Sequence, residues 1–182
     1  SEIIRMFNSA FDAFAEHPER DYYPAPLCDE IDAVNDRVFN TVNIGVYKSG
    51  FARSQAAYDE AVTNLFDTFD WLEARLSNQR YLVGDQITEA DWRLFTTLLR
   101  FDPVYHGHFK CNIRRLIDYP SLWNYTRDLY QVPGVDSTIN NPQIKIHYYG
   151  SHETVNPTGI VPVGPTIDFL APHNRADIKD AA

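Results

Sequence analysis

Tyr58, Val62, Leu65, Phe69, Leu72 and Leu76 follow one another at steps of three and four residues. In an α-helix that spacing puts all six on one face. A stripe this long has to be covered by other elements, and the flanking segments carry the same periodicity. Ile3, Ile4, Phe7, Phe11 and Phe14 predict a first helix ending near His17-Pro18, because proline disfavours helical geometry at the residue before it. After a loop over Asp21 to Pro26, Leu27, Ile31, Val34, Val38 and Val42 predict a second helix. Gly45 and Gly50 then bracket Val46-Tyr47-Lys48-Ser49 and read as its exit and a turn. The long stripe starts from Ser54. Further helices are predicted from Thr88 to about Asp102-Pro103, from Pro120 to Gln131 and from Asn141 to Tyr149. No segment alternates apolar and polar residues for long, so no sheet is expected. The fold class that follows is all-α, a helical bundle.

Beyond Gly150 the pattern breaks. Pro157, Gly159, Pro162, Gly164, Pro165 and Pro172 exclude regular structure. Ile160, Val161, Val163, Phe169 and Leu170 make the segment more apolar than a disordered tail. The expected organisation is a helical domain over 1–150 and an irregular, Pro-rich extension over 151–182 that packs back on it. The opening Ser1-Glu2-Ile3-Ile4 has no Met and runs straight into a helical pattern, so the expectation is a chain cut within a longer protein.

With 16 basic against 25 acidic side chains, the net charge is -9. Nucleic acid and anionic membranes both need clustered positive charge, so neither is an expected partner. No stretch approaches the length of a membrane span. Cys28 and Cys111 are the two cysteines. They make no disulfide framework and read as reduced thiols of a cytoplasmic protein. His106-Gly107-His108-Phe109-Lys110-Cys111 matches no zinc spacing, so no metal is expected.

Thr88 and Asp91 form an S/T-x-x-D pattern before an apolar run. The Asp91 carboxylate can reach back to the Thr88 amide while the Thr88 side chain caps the first turn, a structural helix cap. The full segment Tyr81-Leu82-Val83-Gly84-Asp85-Gln86-Ile87-Thr88-Glu89-Ala90-Asp91 resembles the C-terminal signature of glutathione transferases. Four further segments narrow that likeness: Ser1 to Asn8; Gly45-Val46-Tyr47-Lys48-Ser49-Gly50-Phe51-Ala52; Arg100 to Tyr105 with His108 to Cys111; and His147-Tyr148-Tyr149-Gly150-Ser151-His152 with Asn156 to Ile160. Together they are similar to the Xi class, the glutathionyl-hydroquinone reductases, over nearly the whole chain to about Pro165.

The resemblance implies a glutathione-transferase C-terminal helical domain. The family's thioredoxin-like N-terminal domain, with its Cys-Pro-Trp motif and glutathione site, is not in this sequence. In the family reaction a cysteine thiolate attacks the sulfur of a glutathionylated hydroquinone. Hydroquinone leaves, a Cys–glutathione disulfide remains, and a second glutathione resolves it. The nucleophile is expected upstream, so no residue here is expected to be catalytic. The helical domain would hold the aromatic ring, and the family's substrate-site tyrosines correspond to Tyr47 and Tyr148. A phenol suits that task because its ring stacks and its hydroxyl donates. Expected partners are hydroquinone or quinone conjugates, the chain's own N-terminal domain and a second copy in a homodimer. The expected thiol cofactor is glutathione, with another low-molecular-weight thiol possible. The alternatives are an omega-like transferase or thioltransferase and a non-catalytic interaction module.

Overall fold

The computed structural model describes residues 2–178; Ser1 and the last residues of the expected extension, 179–182, lie outside it. The chain forms α1 (Glu2–Phe7), α2 (Cys28–Val38), α3 (Gly45–Gly50), α4 (Gln55–Leu76), α5 (Glu89–Arg100), the short α6 (His106–His108), α7 (Pro120–Tyr130) and α8 (Asn141–Ser151). Two π-helical turns, Phe39–Asn43 and Phe101–Tyr105, join α2 to α3 and α5 to α6. There is no strand among the described residues. No helix among them is long and apolar enough to cross a membrane.

The predicted stripe is the axis of the molecule. Leu65, Phe69, Leu72 and Leu76 of α4 are fully buried, and α4 packs mainly on α3 and α7. Removing each such side chain from water stabilises the fold by roughly 1.5–3 kcal/mol. Ser54 caps α4, its hydroxyl accepting from the Ala57 amide at 3.3 Å. Leu94 and Leu98 of α5 and Leu122, Tyr125 and Leu129 of α7 complete the same core.

Three expectations need correction. The first helix stops at Phe7 and does not reach His17. Asn8 ends it: its side chain accepts from the Tyr22 amide at 2.8 Å and donates to Asp21 at 2.8 Å, a local alternative to helical bonding. No buried face holds the rest in register, since Ile3, Phe7 and Phe14 are 66%, 65% and 88% exposed. Second, Gly45 to Gly50 is a helix and not a turn. Neither glycine has a positive φ; Gly50 provides space, because a Cβ there would run into the Phe109 ring. Third, the chain does not leave helical geometry at Asp102-Pro103. It widens into the turn ending at Tyr105 and continues into α6.

At the start of α5 the carboxylate half of the expected Thr88–Asp91 box is formed, while the Asp91 amide donates to the Thr88 carbonyl at 3.1 Å and not to its hydroxyl. The buried Asp91 carboxylate accepts from the Thr88 amide at 2.7 Å and the Thr88 hydroxyl at 3.0 Å. It also accepts from the Leu82 amide at 2.9 Å and the Tyr125 hydroxyl at 2.7 Å. One side chain thus ties the helix start to the preceding loop and to α7.

From His152 onward the chain is irregular apart from one turn at Arg175–Asp177. Gln131 donates to the carbonyls of Phe169 and Ala171 at 2.9 and 3.0 Å. Phe169 stacks on Tyr130 with ring centroids 4.9 Å apart. Arg175 is fully buried and donates to the carbonyls of Leu76 and Arg80, each at 2.7 Å, and to Gln79. A cation there satisfies carbonyls that the end of α4 leaves without helical partners.

Asp91→Ala should destabilise the fold by roughly 2–4 kcal/mol, since it strands several buried donors, against about 1 kcal/mol for Thr88→Ala; urea denaturation measures both. Arg175→Ala should lower stability by roughly 2–4 kcal/mol and speed proteolytic cleavage of the tail, read by limited proteolysis.

Candidate functional site

Three elements meet at one end of the bundle. α3 contributes Tyr47, the π-turn after α5 contributes Tyr105, and α8 contributes Tyr148. The Tyr47 and Tyr148 hydroxyls lie 2.6 Å apart and those of Tyr105 and Tyr148 lie 2.8 Å apart. The Tyr105 and Tyr148 rings meet edge to face, with centroids 5.5 Å apart. Phe109 stands 5.4 Å from Tyr47 and 5.7 Å from Tyr105, in the space Gly50 leaves open. Tyr105 and Tyr148 are only 3% and 7% exposed. Tyr47 is half-buried and carries the cluster to the surface.

Burial is the main electrostatic influence on these phenols. It pushes Tyr148 up to about 12, and the hydrogen bond with Tyr105 opposes it. Burial and the neighbouring phenols also push Tyr105 well above the ordinary range. Both are therefore neutral hydroxyls at physiological pH, suited to donating hydrogen bonds and not to acting as bases.

The sequence singled out Tyr47 and Tyr148, and they touch across a separation of 101 residues. Thr88 and Asp91 sit at the far end of α5 from Tyr105, at the helix cap. Tyr105 itself was not singled out, although it lies in a segment carrying the family resemblance. Its four-residue spacing from Phe109, matching that of Tyr47 from Phe51, is the available signal: both pairs put two rings on one helical face.

Beside the tyrosines, His108 Nε2 lies 3.0 Å from His152 Nδ1, so one imidazole donates to the other. The His152 ring stands 5.6 Å from Tyr148. Cys111 is fully buried, and burial pushes its thiol up to about 12, so it is not a thiolate at neutral pH. Cys28 is half-buried with Sγ toward the Pro24 carbonyl at 3.5 Å. No group of three or more His, Cys, Asp or Glu that could hold a metal occurs among the described residues.

A concavity of about 640 Å³ lies between α1, α2 and α5, away from the tyrosine cluster. Phe7, Tyr22, Phe39 and Trp92 form its apolar wall, with Glu89 and Arg93 among its polar residues. Arg5 reaches Glu89 at 3.1 Å and Arg93 reaches it at 3.3 Å.

Burial lowers His108 to about 4 from an ordinary 6.5, and His152 is lowered for the same reason. The unfolded chain then binds protons more readily than the folded one, so the stability due to the neutral pair is complete above pH 6.5 and is lost as pH falls toward 4. The melting temperature should fall across that window, and His108→Asn should flatten the fall; calorimetry at a series of pH values checks it.

The family description "Glutathione S-transferase, C-terminal domain" matches residues 55–128. The chain is 59% identical over 165 residues to the glutathionyl-hydroquinone reductase PcpF of Sphingobium chlorophenolicum, covering 91% of this chain and 52% of that protein. It is 54% identical over 175 residues to the glutathionyl-hydroquinone reductase YqjG of Escherichia coli, covering 96% and 53%. The glutathione-bound structure of YqjG superposes with a TM-score of 0.92 at 53% identity, covering 96% of this chain and 56% of that one. A Xi-class glutathione transferase from Natrialba magadii superposes at 0.94 with 47% identity, covering 97% and 54%. The chain spans about half the length of the curated relatives it matches. Sequence signature, helical architecture and these likenesses converge: the chain belongs to the glutathione transferases, as a C-terminal helical domain of the Xi-class type.

Proposed function

We propose that this chain is the substrate-binding and dimerisation half of a glutathionyl-hydroquinone reductase. The observation that carries the reading is the convergence of the Tyr47, Tyr105 and Tyr148 hydroxyls in an aromatic surround. Such a site stacks a flat ring and donates a hydrogen bond to its oxygen. Breaking the ring–sulfur bond leaves an electron pair on the ring carbon, which takes up a proton, while the sulfur stays with glutathione. A donor held at the ring oxygen stabilises the charge that builds there.

The nucleophilic cysteine and most of the glutathione site belong, in this reading, to a thioredoxin-like half outside these residues. The buried, high-pKa Cys111 supports that assignment, because it cannot supply a thiolate. The groove between α1, α2 and α5 is the proposed seat for that half: its wall is apolar, and Ile3 and Phe7 of α1 are exposed beside it. A homodimer in the cytoplasm completes the reading. The names of the relatives support glutathione as the thiol.

An omega-like thioltransferase is the second reading, favoured by 45% identity over 172 residues to an omega-like protein of Schizosaccharomyces pombe. The two readings differ in substrate. The full-length gene product is to be incubated with glutathionyl-menadiol and glutathione, and menadiol release followed by chromatography. Release that depends on an upstream cysteine supports the reductase. No release from the folded protein, with turnover of glutathione mixed disulfides, supports the thioltransferase. Tyr47→Phe should lower the rate about tenfold or more and leave the melting temperature within a few degrees; an unchanged rate removes Tyr47 from the site.

A further inference from the structure

The three hydroxyls form an open chain with a buried end. Tyr105 is 3% exposed, and its hydroxyl has Tyr148 as its one hydrogen-bond partner among the described residues. Tyr148 in turn meets Tyr47; the Tyr47 phenol is near enough to add to the upward push on Tyr105, but the pair does not reach hydrogen-bonding geometry, and Tyr148 is the link between them. A phenol has one proton to give and two lone pairs. A buried proton without an acceptor costs more than a spare lone pair. If bonding ran inward from Tyr47, the Tyr105 proton would be stranded at the closed end. If Tyr47 and Tyr105 both donated to Tyr148, the Tyr148 proton would be stranded instead. Only the outward direction uses every buried proton: Tyr105 donates to Tyr148, Tyr148 donates to Tyr47, and the half-buried Tyr47 keeps its proton for a ligand.

We propose that Tyr105 is a positioning residue whose buried hydroxyl sets this outward direction, so that the site prefers an aromatic ligand with an anionic ring oxygen over the same ring in neutral form. The inference deepens the reading above and rests on it, since it assumes that a hydroxylated ring binds at Tyr47. Each bond in an aligned chain polarises the next, so Tyr105 and Tyr148 together make Tyr47 a stronger donor than an isolated phenol. A stronger donor favours the charged acceptor. The other polar groups facing Tyr148 are Arg100 from α5 and His147 and His152 on and after α8, with His108 paired to His152. They remain the same in every variant compared below, at one fixed pH.

The probe is 4-nitrophenol, which ionises near neutral pH and whose visible absorption reports the anion directly. Its binding to this chain is to be titrated at a single pH, and the bound fraction in anionic form measured for the wild type, Tyr47→Phe, Tyr105→Phe and a variant with 3-fluorotyrosine at position 105. The wild type should bind the anion about tenfold or more in preference to the neutral phenol. Tyr105→Phe should reduce that preference about three- to tenfold, the loss falling more on the anion's affinity than on the neutral phenol's. The fluorinated residue, with the same shape and a more acidic hydroxyl, should keep or raise the preference. An unchanged preference in Tyr105→Phe, with native circular dichroism, overturns the proposal. Should Tyr105→Phe fail to fold, a fluorotyrosine protein with a lowered preference overturns it instead, and one with a raised preference supports it. If the wild type does not bind the probe, or binds it equally well as Tyr47→Phe, the aromatic-site reading itself fails and this inference falls with it.

Discussion

The buried Asp91 carboxylate is the interaction on which the arrangement depends. It collects two backbone amides and two hydroxyls, from the loop before α5, from its own helix cap and from α7. Without it the Thr88 and Leu82 amides would lie buried without an acceptor, which costs more than most single contacts can return. With it, the start of α5 is fixed against α7 and against the loop that closes α4. The direction of α5 through the core follows from that anchor, and so does the place where its far end delivers the next segment.

That far end matters for chemistry. α5 does not stop at Pro103; it widens into the turn that ends at Tyr105 and continues into α6. Tyr105 and Phe109 thereby face α3, where Gly50 leaves room for the Phe109 ring. α8 closes the cluster by bringing Tyr148 between the other two phenols. Rigid elements hold all three tyrosines, so the hydroxyl distances are set by packing and not by a mobile loop. Burial keeps Tyr105 and Tyr148 protonated, and this confines the site to donating hydrogen bonds.

The parts of this structure legible in the sequence are those governed by one periodicity or one local bond. The stripe from Tyr58 to Leu76 becomes α4 nearly residue for residue because its face from Val62 onward is buried. The Thr88–Asp91 box is a contact between near neighbours. The first apolar run failed as a helix because the side chains setting its period have no core to meet in this chain, leaving Asn8 free to bond elsewhere. Gly50 misled because glycine marks both turns and close packing, and only the ring of Phe109, far along the chain, distinguishes the two. Tyr47 and Tyr148 stand out in the sequence through family likeness alone. Tyr105 has the same chemistry, but its role depends on which hydroxyl it meets, and no local pattern encodes a contact made by three separated elements.

In the proposed function the tyrosine cluster, and not the groove beside α1, receives the aromatic ring. Aromatic carbon–proton NMR spectra of this chain, titrated with glutathionyl-menadiol, test it most directly. The Tyr47, Tyr105 and Tyr148 resonances should shift together and saturate with the conjugate, while those of Phe7 and Trp92 stay in place. Shifts confined to Phe7, Tyr22 and Trp92, with the three tyrosines unmoved, would contradict it and place the ring in the groove between α1, α2 and α5.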